Sequence, residues 1–119
     1  MEETMGKMEK RLAELLWERA PLPMREVVAL CEAEFAWNRS TTYTMCTRLM
    51  RRGLFAREGG VLRALMTREE YQAQQGARFV EENFAGSLPR FLTAFVRGRG
   101  LSREEAEEIE RLIRDYREE

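Results

Sequence analysis

The 119-residue sequence predicts a mainly α-helical fold with one small β element. Three observations lead there. Apolar residues recur three and four apart along most of the chain, the spacing that lines one side of a helix. Two S/T-x-x-E boxes, "TREE" at 67–70 and "SREE" at 102–105, mark helix starts. In each, the hydroxyl and the Glu carboxylate satisfy N–H groups that a first helical turn leaves unpaired. One stretch, "LFAREGGVLRALM", sets Gly59-Gly60 between two short runs, and this dipeptide suits the primed turns of hairpins.

Taken in order, residues 8–19 form a first helix whose face is Met8, Leu12, Leu15, Leu16 and Trp17, ended by "APLP". A second short helix spans 24–33, with Val27, Val28, Leu30 and Cys31 as its apolar positions. Asn38 is suited to cap a third helix, which Gly53 stops, and the hairpin follows. After "TREE" a fourth helix carries Tyr71, Phe79, Val80 and Phe84 until Gly86 breaks it. Ser87 and Pro89 open a fifth with Leu88, Phe91, Leu92, Phe95 and Val96. "GRG" at 98–100 separates it from a last helix carrying Leu101, Ile109, Leu112, Ile113 and Tyr116.

Composition removes several function classes. The chain has no histidine, and its two cysteines, Cys31 and Cys46, form no CxxC, so a metal site and His-based acid–base catalysis are unsupported. No nucleophile–base pair or phosphate loop is visible, so no enzyme activity and no cofactor are expected. No apolar run approaches the ~18 residues of a membrane span, and the N-terminus is acidic where a signal peptide is basic. A cytoplasmic protein is the expectation.

The net charge of −1 conceals an uneven distribution. Residues 1–36 hold five Lys/Arg against eight Glu, and residues 67–119 nine Arg against twelve acids. Residues 37–66 hold six Arg against Glu58 alone, so all the excess positive charge lies there. A cluster of this kind marks an element that meets a polyanion, or a merely solvated basic face.

Within that quarter, "WNRSTTYTMCTRLMRRGLF" at 37–55 is helical in spacing yet crowded with threonine, a poor helix former. Thr42, Met45, Cys46 and Leu49 fall on one side and suit a small core, with Cys46 as packing. Ser40, Thr44, Thr47 and Arg51 form a stripe opposite, flanked by Tyr43 and Arg48. Short hydroxyls allow close approach to a partner, Arg reads guanine edges or holds phosphate, and Thr offers a methyl to thymine. Three helices, the third bearing this face, followed by a two-stranded hairpin, constitute a winged helix-turn-helix over residues 1–66. The candidate DNA contacts are Asn38, Ser40, Thr41, Tyr43, Thr44, Thr47, Arg48, Arg51 and Arg52, with Arg57 and Arg63 from the wing. The alternative is a protein-interaction module whose basic face docks an acidic protein. Asn38-Arg39-Ser40 also matches a glycosylation sequon, and capping is the expected role.

Residues 67–119 are few for a self-sufficient core yet carry many large apolar side chains. Sharing that core with a second copy predicts a homodimer through Phe79, Phe84, Leu88, Phe91, Leu92, Phe95, Leu101, Ile109, Leu112 and Ile113. The alternative is that these helices pack back on the N-terminal unit.

With these residues in place, the chain resembles the BlaI/MecI family of penicillinase repressors over nearly its whole length. "LAELLWERAPLPMREVV" looks like the family's first helix, with Trp17 as its tryptophan, and the start of its second. "WNRSTTYTMCTRLMRRG" is similar to the family's W-S-P-K-T-x-x-T-x-x-x-R-L-x-x-K-G, with Trp37, Thr41, Thr44, Arg48, Leu49 and Gly53 matching position by position. "TREEY" and "LSREEAEEIERLI" match the linker and last helix. The resemblance implies a homodimeric transcriptional repressor that binds a palindromic operator in double-stranded DNA. It also implies relief of repression by a regulatory protease, whose cut at an Asn-Phe bond corresponds here to Ala94-Phe95. The CxC pairs of copper-responsive relatives are missing, and the wing is two or three residues shorter than the family's, lacking its Tyr-x-Pro segment.

Overall fold

A computed structural model describes residues 5–117; the first four residues, part of the acidic N-terminal run, and the last two lie outside it. α1 (Lys7–Arg19) turns Leu12, Ala13 and Leu16 inward, and α2 (Met24–Phe35) adds Met24, Val27 and Cys31. α3 (Arg39–Arg51) buries Thr42, Met45, Cys46 and Leu49, the row that helical spacing assigned to the core. Leu54, Phe55 and Leu62 close that core from the hairpin. Its strands are β2 (Phe55–Glu58) and β3 (Val61–Ala64), antiparallel with Phe55 opposite Ala64 and Glu58 opposite Val61. Gly59 and Gly60 both adopt positive φ (58° and 76°), which the tight turn requires and L side chains resist.

The structure departs from the sequence reading in three places. A two-residue strand, β1 (Leu22–Pro23), pairs with β3, giving a three-stranded sheet of order β1-β3-β2. "APLP" reads as a helix breaker, and it is one, but an edge strand tolerates proline because its outer side needs no N–H donor. Second, α2 runs two residues beyond Ala33. Its end is set by Phe35, whose ring lies 4.6 Å from that of Trp37 and under the Arg11 guanidinium at 5.1 Å, before Ala36 turns left-handed (φ 57°). Third, Gly98 lies inside α5 (Leu88–Arg99), and the break falls at Gly100, whose N–H donates to the Val96 carbonyl at 2.8 Å.

Both capping boxes form. Thr67 and Glu70 exchange bonds of 3.0 and 2.8 Å at the start of α4 (Arg68–Phe84), and Ser102 and Glu105 exchange 3.0 and 3.2 Å at the start of α6 (Arg103–Tyr116). The chain divides into two compact units, and the division between Gln74 and Gln75 falls within α4. The first turn of α4 is held to α1 by Arg68 on Glu14 (2.7 Å) and by Tyr71, whose ring lies 5.6 Å from Trp17.

In the second unit Phe79, Phe84, Phe91 and Phe95 meet ring to ring at 5.4–6.1 Å. Arg99 covers Phe95 at 4.5 Å and is fixed there by both oxygens of Glu105. Even so, no described residue of α5 or α6 is buried; Leu88, Leu112 and Ile113 stay more than half exposed. Among the described residues no helix is long and apolar enough to cross a membrane.

The two cysteines are core residues. Burial pushes the Cys46 thiol up to about 12, with nearby Cys31 adding to the effect and Arg57 opposing it. Burial raises Cys31 too, partly offset by its hydrogen bond with Thr42. An unfolded thiol ionises near the ordinary 9.0, while folded Cys46 stays protonated. Its contribution to stability is therefore complete below pH 9 and is lost as pH rises towards 12, at no more than ~1.4 kcal/mol per pH unit. Urea denaturation between about pH 8 and 10.5 is expected to show a shallower alkaline loss for Cys46→Ala than for the unaltered chain. Equal slopes would dismiss the buried thiol as the cause.

Candidate nucleic-acid interface

α3 is started by Asn38, whose Oδ1 accepts from the Thr41 N–H at 2.8 Å; the cap consumes that side chain. Thr42, fully buried, spends its hydroxyl on the Asn38 carbonyl at 3.2 Å. Thr41 is half-buried. Thr47, assigned to the outer stripe, is half-buried as well, and its hydroxyl donates to the Tyr43 carbonyl at 2.9 Å. The fully exposed row is Ser40, Thr44, Arg48 and Arg51, one residue every turn. The side chains of Ser40, Thr44 and Arg51 make no hydrogen bond within the described residues, while Arg48 rests one nitrogen on the Met45 sulfur at 3.8 Å.

The arginines separate into two groups. Arg52 is half-buried, and its Nε meets Glu9 Oε2 at 3.1 Å, both side chains being mostly covered (18% and 12% exposed). Arg63 pairs across the wing with Glu58, whose carboxyl it holds below the ordinary carboxylate value. Arg39, Arg48, Arg51 and Arg57 meet no carboxylate within the described residues. Arg48, Arg51 and Arg52 line, with Glu9, a groove of about 430 Å³ at the C-terminal end of α3.

The two wing arginines lie on opposite faces. Side chains alternate along a strand, so Arg57 shares the side of buried Phe55, whereas Arg63, opposite Ala56, shares that of Glu58. Arg57 thus reaches back to α3 and places its guanidinium 5.3 Å from the centre of the Tyr43 ring. Arg39 stands over the same ring, also at 5.3 Å. Arg39 is absent from the sequence-based set, although its position four residues before Tyr43 put it within helical reach. The wing is anchored at its tip, where the Met24 N–H donates to the Gly60 carbonyl at 2.9 Å, and along β3 by β1.

The predicted dimerisation residues all lie in the second unit, on the last turns of α4, on α5, on α6 or, for Leu101, just before α6. Phe91, Leu92, Phe95, Val96, Leu101 and Ile109 line an apolar groove of about 310 Å³, with Arg99 and Glu105 at its edge. Ala94 and Phe95 are exposed on α5, and the bond between them lies inside the helix.

The family model described as penicillinase repressor matches residues 5–115. No curated protein matches the chain.

Removing Arg52 leaves the mostly covered Glu9 carboxylate without this partner, so Arg52→Ala is expected to lower stability by about 1–2 kcal/mol. Arg51→Ala is expected to stay within about 0.5 kcal/mol. Urea midpoints measure both, and equal values would cancel the structural role assigned to Arg52.

Proposed function

The chain belongs to the penicillinase repressor family, and from that membership we propose that it acts as a homodimer, α3 of each copy entering the major groove of one half of a palindromic operator. Membership itself makes it a DNA-binding transcriptional repressor of winged-helix fold. The observation that carries the finer reading is the exposed row of α3. Ser40, Thr44 and Arg51 have no partner within the described chain, and they stand opposite the row that anchors the helix in the core. A stability-driven helix surface carries Glu and Lys; this one carries short hydroxyls and guanidinium groups, which suit base edges and phosphates.

The homodimer is supported by the second unit's lack of burial. An unshared unit leaves Phe79, Leu88, Leu112 and Ile113 about half exposed, and a second copy removes this surface from water. Relief of repression by a protease at Ala94-Phe95 belongs to the same proposal. Because that bond is helical, α5 must unwind locally before a protease can bind it in extended form.

Fluorescence anisotropy on DNA from upstream of the chain's own gene, against scrambled DNA at ~0.15 M salt, tests the reading. Binding ~10³-fold tighter to the native fragment, at two chains per site, is expected. Equal, weak binding to both fragments removes this operator, and no binding to either favours an acidic protein as the partner. Arg51→Ala is expected to weaken operator binding by ~1–3 kcal/mol and to relax preference at one base position if Arg51 reads a base. Uniform weakening on all sequences, with a salt slope shallower by about 1, would make it a phosphate contact instead.

Leu112→Asp is expected to convert the dimer to monomers in sedimentation velocity and, with that, to abolish tight operator binding. Full affinity in a proven monomer would sink the dimer.

A further inference from the structure

Tyr43 sits where two cations from different elements converge. Arg39 comes from the first turn of α3 and Arg57 from β2 of the wing, each with its guanidinium carbon 5.3 Å from the ring centroid. The pairing is within the range in which a ring face attracts a guanidinium. Nothing within the described residues neutralises it: neither arginine meets a carboxylate, and the first turn of α3 holds no acid. Arg39 also lies at the positive end of the helix dipole, where a cation is disfavoured. The two like charges repel, and an anion beside them relieves that repulsion, while the anchoring of the wing by Met24 and β1 steadies the hairpin that carries Arg57. The second wing arginine, Arg63, is built differently, on the opposite face and paired to Glu58.

We infer that Tyr43 is a positioning residue that holds Arg39 and Arg57 as one clamp for neighbouring phosphodiesters of a single DNA strand. The clamp ties the reading helix to the wing, so that the backbone contact made by the wing sets the depth and register at which Ser40, Thr44, Arg48 and Arg51 meet the bases. This inference rests on the DNA-binding reading above and adds Arg39 to the contacts. It gives Tyr43 a role through its ring rather than its hydroxyl.

The test uses the full chain and a labelled duplex of mixed sequence, about 30 base pairs long, with anisotropy titrations over a series of salt concentrations. Arg39→Ala combined with Arg57→Ala is expected to make the salt slope shallower by about 2, since each phosphate left unneutralised takes away roughly 0.9. Tyr43→Leu removes no charge, yet is expected to weaken binding roughly five-fold because both cations lose their support. Tyr43→Phe keeps the ring and is expected to recover most of the affinity that Tyr43→Leu loses. Introduced into the double-arginine variant, Tyr43→Leu is expected to change nothing further. Binding by Tyr43→Leu with unaltered affinity, or equal weakening in both backgrounds, overturns the positioning role. If thermal denaturation shows Tyr43→Leu to be unfolded, the double-arginine slope decides alone, and an unchanged slope overturns the clamp. Failure of the unaltered chain to bind duplex even at low salt removes the DNA-binding reading itself, whereas normal binding with indifferent variants removes only the clamp.

Discussion

The arrangement of the first unit depends on Trp17. Its indole N–H donates to the Met66 carbonyl at 3.0 Å, across 49 positions of sequence. Its ring meets Phe55 of the wing and Tyr71 of α4, each at 5.6 Å. One side chain of α1 therefore fixes the hairpin and the first turn of α4. α3, whose buried row packs on the same core, is presented to solvent at a defined angle to the wing as a result. A ring that offers a large apolar area and a single donor suits this junction, because its faces pack on aromatic neighbours while its N–H satisfies a backbone carbonyl.

Charge in this protein is sorted by position rather than by amount. Acids equal bases almost one for one across the chain, yet Glu9 and Glu58 are each committed to an arginine of the middle quarter. What remains around α3 and the inner face of β2 is Arg39, Arg48, Arg51 and Arg57, without partners of opposite sign among the described residues. Pairing Arg52 with Glu9 contributes to packing α3 on α1, and pairing Arg63 with Glu58 steadies the turn. A local positive field thus coexists with a net charge of −1, which restrains indiscriminate attraction to nucleic acid elsewhere on the surface.

The second unit shows how far local signals carry a helix without a core. Capping hydroxyls at Ser87 and Ser102 and the carboxylate of Glu105 satisfy the first turns of α5 and α6. Arg99 and Glu105 tie α5 to the start of α6. These bonds specify where helices begin and how they turn, but they bury no side chain of α5 or α6. The proposed second copy would supply the apolar burial that α5 and α6 do not find within the described residues.

The sequence by itself determined what depends on residues a few positions apart: six helix starts and stops to within a turn, the Gly59-Gly60 hairpin, the buried row of α3 and the position of the basic quarter. Such features follow from hydrogen bonds and side-chain spacings within three or four residues, so they are written in short strings. The exposed face of α3 was legible in outline for the same reason, since spacing alone put Ser40, Thr44, Thr47 and Arg51 in one stripe with Arg48 at its flank, and all but Thr47 are exposed. Tertiary structure decided which members of that outline are held by partners within the described chain. Arg52 is engaged by a carboxylate 43 positions away, and Arg57 and Arg63 go to opposite faces once Phe55 and Leu62 turn inward. Thr47 turns its hydroxyl to the backbone, Arg39 joins through Tyr43, and β1 exists only because β3 offers it an edge. Apart from the turn of Thr47 and the contact of Arg39 with Tyr43, both made between residues four apart within α3, each of these outcomes requires segments brought together by folding, and the energy of that meeting lies in the packed core rather than in any one segment.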